Sequence, residues 1–189
     1  LTCEYRVNPL GIDIAQPRLS WRMDTDRKSA KQTAYQVLAA SSPDLLTIES
    51  ADLWNSGHVE SDQSIHVKYV GEALQSRQRV YWKVIVWDET GSSSESATAW
   101  FEMGLLKQND WQATWVCSSL VGGAQTTIPV PYFRKSFWIT GQVESARLYV
   151  KSLGVYECSI NGQTIGDDLF TPGWTDYKKH IQYNVYDVS

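Results

Sequence analysis

Asp167, Asp168, Trp174 and Asp176 fall close together in the run GDDLFTPGWTDY, residues 166–177. Carboxylates accept hydrogen bonds from sugar hydroxyls or hold a hard cation through oxygen, and an indole covers the C–H face of a pyranose. These four are the candidate sugar-binding residues, and Asp167 and Asp168 are also the candidate ligands of a calcium ion. A purely architectural reading stands beside this one. In it, Gly166 and Asp167 cap a turn, Trp174 fills a core and Asp176 caps the next segment through its side chain. The two adjacent aspartates make a poor acid/base pair, because neighbours on an extended strand point to opposite faces. Inverting glycoside hydrolysis needs two carboxyl groups about 6.5–9.5 Å apart across the scissile bond.

Other reactive constellations are missing from the sequence. It contains no G-x-S-x-G elbow, phosphate loop, dinucleotide glycine fingerprint or H-E-x-x-H, and His58, His66 and His180 have no partner at a useful spacing. No residue is a candidate catalytic group. Cys3, Cys117 and Cys158 are widely spaced and odd in number, which predicts free buried thiols. The net charge of −4 lies in the first part of the chain, where residues 1–105 carry 10 basic and 14 acidic side chains against 7 and 7 afterwards. With no basic stripe, nucleic-acid binding has no electrostatic footing. No apolar run approaches the roughly 20 residues that span a bilayer.

The elements that must hold the candidate residues are strands. Residues 155–161 alternate and run into Asn161-Gly162, a two-residue type I′ signal, so a hairpin is expected there. Further strands of this second region are expected near Phe133, Leu148, Gln163 and Tyr183. In the first region residues 8–13 and then 17–21 (PRLSW), kept extended by Pro9 and Pro17, read as an edge strand with a Trp anchor, and residues 35–41 (YQVLAAS) as a central strand. Ser42-Pro43-Asp44 has the pattern of an N-cap followed by proline at the first helical position, so a single helical turn is expected. Residues 79–88 (RVYWKVIVWD) place Val80, Trp82, Val84 and Val86 on one face and Tyr81, Ile85 and Trp87 on the other, the pattern of a strand in the middle of a sandwich. Residues 97–103 return as the last strand.

Short strands at this spacing, without a long helix, predict an all-β chain. Residues 1–105 are expected to form a fibronectin type III-like β-sandwich, and 106–131 a linker and loop in which Trp111 and Trp115 seat against the domains. Residues 121–124 and 128–131 are the expected mobile loop. Residues 132–189 are expected to be the N-terminal part of a carbohydrate-binding-like jelly roll, which needs about eight strands. The chain is therefore expected to be part of a longer polypeptide. Nine Trp and ten Tyr suit both an all-β fold and a saccharide-handling protein.

The motifs SLGVYE, SINGQTIGDD and TPGWTDYKKHIQYNVYDV resemble the N-terminal β-sandwich of bacterial α-L-rhamnosidases of the large inverting glycoside hydrolase family. The order PRLSW, YQVLAAS, LWNSGHV, YWKVIVWDETG and WFEMGLL is similar to the fibronectin-like domain that opens many of them. The resemblance covers most of the chain and is weakest over residues 118–131. It implies that the catalytic carboxylates belong to a downstream (α/α)₆ barrel, so this part would have no turnover of its own. The parent enzyme would cleave terminal α-L-rhamnose, with this part supporting the barrel and binding rhamnose, in some relatives through calcium. The implied partners are the downstream catalytic domain and a rhamnose-containing carbohydrate, and the expected setting is periplasmic or secreted. The competing expectation is a free-standing β-sandwich adhesion or protein-interaction module.

Overall fold

The computed structural model describes residues 1–120 and 122–189, and every regular element in it is a strand or a 3₁₀ turn. The strands are β1 (Thr2–Cys3), β2 (Arg18–Ser20), β3 (Gln32–Ala40), β4 (Trp54–Asn55), β5 (Val59–Glu60), β6 (Val67–Lys68), β7 (Arg79–Asp88), β8 (Ser93–Glu95), β9 (Ala99–Glu102), β10 (Arg147–Lys151), β11 (Ser159–Ile160), β12 (Gln163–Thr164) and β13 (Tyr183–Asp187). All pairings between these strands are antiparallel.

The first domain is two sheets packed face to face. One has the order β1-β2-β6, and the other β4-β3-β7-β8 with β5 also on β3 and β9 also on β7. The long ladder between β3 and β7 runs from Gln32 opposite Asp88 to Ala40 opposite Tyr81. Period-2 alternation then decides what lies between the sheets. Val37, Ala39, Val80, Trp82, Val84 and Phe101 meet Cys3, Leu19 and Val67 of the smaller sheet, and Trp21 just after β2, in one core cluster. Trp82 is fully buried, and Trp21 donates from Nε1 to Gln32 Oε1 at 2.8 Å, so its polar end is satisfied where its ring is packed.

The other face of β3 and β7 is also covered, though not by a sheet. Leu38, Ala40 and Ile85 form a second cluster with Leu46, which follows the 3₁₀ turn Pro43–Leu45, while Tyr81 and Trp87 pack at its side. The expected single turn is thus present. Ser42 sits at its N-cap in extended conformation without a side-chain capping bond, and the turn's function is to bring Leu46 onto the sheet. One expectation is corrected: β2 is no edge strand. It pairs with β1 on one side and β6 on the other, because the short residue 1–3 segment adds itself outside it. Glu4 fixes that addition, accepting from Arg18 backbone N at 2.6 Å and from its Nη2 at 2.6 Å.

The second domain is built from less regular structure. β10 pairs with β13 along their whole length, and β11 pairs with β12 through Asn161 (φ 52°) and Gly162 (φ 83°), the left-handed pair that a type I′ turn requires. The strand expected near Phe133 does not form. Tyr132, Phe133, Phe137 and Trp138 carry no ladder and stand exposed, Trp138 at 95%. An apolar stretch of this composition becomes a strand only where a neighbouring strand supplies hydrogen-bond partners. Four short strands in two antiparallel pairs thus make up the regular structure of this second β domain among the described residues. In the expected mobile loop, Val121 lies outside the described residues, and Gly123 and Thr126 form an isolated bridge.

The cysteines are free, but they are not all buried. Cys3 is buried and Cys158 half-buried, whereas Cys117 is exposed on the linker segment. Burial pushes the Cys3 thiol up to about 12.

Two stability predictions come from this packing. Trp82→Ala is expected to lower the unfolding free energy by about 3–5 kcal/mol in urea denaturation, since it empties the middle of the core. A loss under about 1 kcal/mol would mean the sheets can close over the gap. Side-chain hydrogen bonding to Arg18 holds the Glu4 carboxyl below its ordinary range. Its contribution is therefore present at neutral pH and lost as pH falls through that lowered value. Glu4→Gln should melt earlier than wild type at pH 7, and the two melting temperatures should converge as pH falls through the acid range in which the Glu4 carboxyl takes up its proton. A gap that persists unchanged at low pH would remove the ion pair as its cause.

Candidate functional site

The ribbon β10–β13 is the element that positions the site, because its two faces address different neighbours. Register places Arg147 opposite Asp187, Tyr149 opposite Val185 and Lys151 opposite Tyr183, so these six share one face. That face presses on the first domain and the linker. Arg147 donates Nε to Glu102 Oε1 at 2.9 Å and Nη2 to Oε2 at 3.1 Å, and Arg79 of β7 donates Nη2 to the same Oε2 at 2.9 Å. The Glu102 side chain is only 8% exposed. Tyr183 Oη accepts from Leu105 N at 2.8 Å, and its ring meets Trp111 with centroids 5.8 Å apart. Lys151 Nζ lies 4.0 Å from the Trp111 ring centroid and 4.8 Å from that of Trp115. Packing of the linker is confined to its start: Trp111 is half-buried against the ribbon, whereas residues 112–117 are exposed, Trp115 at 53%.

Two glycines permit this approach. A Cβ on Gly11 (φ +76°) would stand 2.8 Å from Val185 Cγ2, and one on Gly104 would collide with Tyr183 Oη.

The opposite face of β13 carries Asn184 and Tyr186. Asn184 Nδ2 lies 3.2 Å from Asp168 Oδ2, 2.7 Å from Thr171 Oγ1 and 3.2 Å from Tyr186 Oη, and Tyr156 and Tyr186 join their hydroxyls at 3.0 Å. Burial is the main cause that raises the Tyr156 phenol, so it remains protonated. Beside this network a groove of about 640 Å³ runs between the domains. Arg6 and Asp13 line it from the first domain, and Asp168, His180, Gln182 and Asn184 from the second.

Among the four sequence-selected residues only Asp168 faces this groove. Asp167 is exposed outside it. Trp174 does not fill a core: it is 80% exposed, with its ring 6.4 Å from Tyr177. Its surroundings, two turn segments and no sheet, offer nothing to bury it. Asp176 does cap the following turn, accepting from Lys178 N at 3.1 Å. Asn184 was missed by motif reading, although its alternation with Tyr183 and Val185 marks it as facing away from the joint. Arg6 and Asp13 carry no local signal, since they meet the groove only through tertiary packing.

Calcium binds six to eight oxygens. Among the described residues no three His, Cys, Asp or Glu side chains gather around one point. Asp167 and Asp168 therefore lack a third such side chain beside them. His66 packs edge-on to Tyr5 and His58 edge-on to Trp87. No helix among the described residues is long and apolar enough to cross a membrane.

An all-β sandwich joined by a packed seam to a second, smaller β domain defines a two-domain accessory architecture. Comparison with known proteins specifies it. Residues 1–107 match the model of the Rha78A-like N-terminal immunoglobulin domain, and residues 141–189 match that of the alpha-L-rhamnosidase N-terminal domain. The chain belongs to this family, and it corresponds to the N-terminal region of an α-L-rhamnosidase.

It is 40% identical to an α-L-rhamnosidase of Formosa agariphila over 96% of this chain and 20% of that protein. It is 39% identical to one of an Alteromonas species over 97% of this chain and 21% of that one. Among solved structures, the α-L-rhamnosidase from Dictyoglumus thermophilum superposes with a TM-score of 0.89 at 38% identity, covering all of this chain and 23% of the other. That of Streptomyces avermitilis, in complex with L-rhamnose, superposes with a TM-score of 0.58 at 30% identity, over 99% of this chain and 20% of the other. The chain thus spans about a fifth of the length of these relatives.

Removing one partner of a buried ion pair strands the other charge, which costs about 3–5 kcal/mol. Because Glu102 keeps Arg79, Arg147→Met is expected to destabilise the chain by less than that, about 1–3 kcal/mol, and to speed limited proteolysis within residues 112–139. A cleavage rate and melting curve equal to wild type would show that the pair does not hold the domains together.

Proposed function

We propose that this chain is the non-catalytic front of an α-L-rhamnosidase, which carries a saccharide-binding groove beside Asp168 and buttresses a catalytic domain elsewhere in the same polypeptide. The observation that carries the binding part is the groove itself. Its lining alternates acceptors, Asp13 and Asp168, with donors, Arg6 and the amides of Gln182 and Asn184, at the seam of two domains. Such a set pairs with the vicinal hydroxyls of a sugar, and the exposed Trp174 on the adjoining turn offers a face for its C–H groups. The family membership and the rhamnosidase relatives support rhamnose as the sugar, and hydrolysis of terminal α-L-rhamnosides as the activity of the longer enzyme. The Asp168 carboxylate is held by the Asn184 amide and is suited to orienting a ligand hydroxyl.

A second reading is a protein-interaction module. The exposed side chains of Tyr132, Phe133, Phe137 and Trp138 favour it, because a run of solvent-facing aromatics is characteristic of contact surfaces.

Calorimetric titration with L-rhamnose and a rhamnosyl disaccharide separates the two. Saturable binding that weakens about tenfold in Asp168→Ala, and less in Trp174→Ala, is expected for the first reading. Equal affinity in a folded Asp168→Ala protein would take Asp168 out of the site. No heat with either sugar, together with self-association in sedimentation, would favour the second.

A further inference from the structure

On the far side of the β10–β13 seam lies a second cleft, of about 610 Å³, lined by Arg77, Arg79, Glu102, Ser145, Arg147 and Tyr149. We propose that this cleft binds an oxyanion, a carboxylate or sulfate group, through Arg77 and Arg79. This proposal does not depend on the sugar reading of the other groove, since it uses different residues.

Charge is the first ground. Three guanidinium groups line the cleft against one carboxylate, and Glu102 is fully engaged, with Arg147 on both oxygens and Arg79 on one. Arg147 is further paired with Asp187 at 2.9 Å. Arg77 forms no salt bridge among the described residues, because its Nη2 donates to the backbone oxygen of Asp110 at 2.9 Å. The Asp110 carboxylate is turned instead to Ser76 Oγ and Lys107 N. A positive excess therefore remains at the cleft.

Fixed geometry is the second ground. The Arg79 guanidinium lies over Trp100 at 4.3 Å and is oriented by Glu102, while that of Arg77 lies over Tyr149 at 5.7 Å. Guanidinium groups already stacked on rings lose little freedom when they bind, and the N–H groups that Arg77 and Arg79 do not spend on Asp110 and Glu102 remain for the oxygens of a carboxylate or sulfate. The Tyr149 hydroxyl provides a third observation. It lies buried at the cleft without a hydrogen-bond partner, a donor that an arriving oxygen can satisfy.

The site thus joins both domains, with Arg77 and Arg79 from one and Ser145, Arg147 and Tyr149 from the other. Its ligand class is an anionic group with paired oxygens, a carboxylate or a sulfate.

The test is titration of the full 189-residue chain with glucuronate, with inorganic sulfate and, as a control, with sodium chloride at matched ionic strength. The readouts are Trp fluorescence, to which Trp100 reports, and the Nε resonances of arginine in ¹H–¹⁵N spectra. Saturable shifts of the Arg77 and Arg79 signals with glucuronate, sulfate or both, absent with chloride, are expected, and the tighter of the two names the ligand class. Arg77→Gln should weaken binding about tenfold, and Arg77→Lys, which keeps the charge but loses the fork, less. Both sit on an exposed side chain and leave the Glu102 pairs in place, so their melting curves should match wild type. Shifts that track ionic strength without saturating, or an affinity untouched by Arg77→Gln, would overturn the proposal.

Discussion

Glu102 is the group on which the relation between the two domains turns. A carboxylate this deeply buried is tolerable only if its charge is met, and it is met from two directions, by Arg79 within its own sheet and by Arg147 from the second domain. The first pairing makes Glu102 part of the sandwich. The second makes the sandwich incomplete without the ribbon. Buried ion pairs contribute little net stability compared with a hydrophobic replacement, but they are exacting about geometry. The pair accordingly specifies where the ribbon sits more than how strongly it adheres, while the bulk of the attraction falls to the rings of Tyr149, Trp111 and Tyr183 around it.

The sandwich itself needs no such device. Its two long strands satisfy their backbones against one another over eight register positions, and alternation sends the large side chains of β7 inward. This was legible in the sequence because each residue of 79–88 declares its face by position alone. The role of residues 1–3 was not legible, since a two-residue strand has no period to read. β2 was thus taken for an edge, when Glu4 and Arg18 draw a further strand onto it. The covering of the outer face by Leu46 was equally hidden. A proline turn can be read locally, but what it packs against cannot.

The second domain and its groove show where local reading ends. Asn161-Gly162 fixed its hairpin because the turn chemistry is complete within the dipeptide. Residues 132–139 carry the hydrophobic content of a strand, yet strand formation depends on a partner edge, and no sequence pattern inside the segment can supply one. Asp168 was visible as a carboxylate among aromatics. Its actual setting, against an amide on β13 and opposite Asp13 from the other domain, belongs to tertiary contact. The arginine cleft escaped notice for the same reason: Arg77, Arg79 and Arg147 come from distant parts of the chain and look like ordinary surface charges until the ribbon brings them together.

Gly11 and Gly104 have a meaning for how closely the seam can shut. Where Val185 and Tyr183 rest on bare backbone, the ribbon comes nearer to the sandwich than any side chain at those two positions would allow. One added carbon at either glycine would have to lift the ribbon, and with it the guanidinium of Arg147 that meets Glu102. The clearance of the joint is thus one carbon atom, and two residues without side chains keep a buried charge answered.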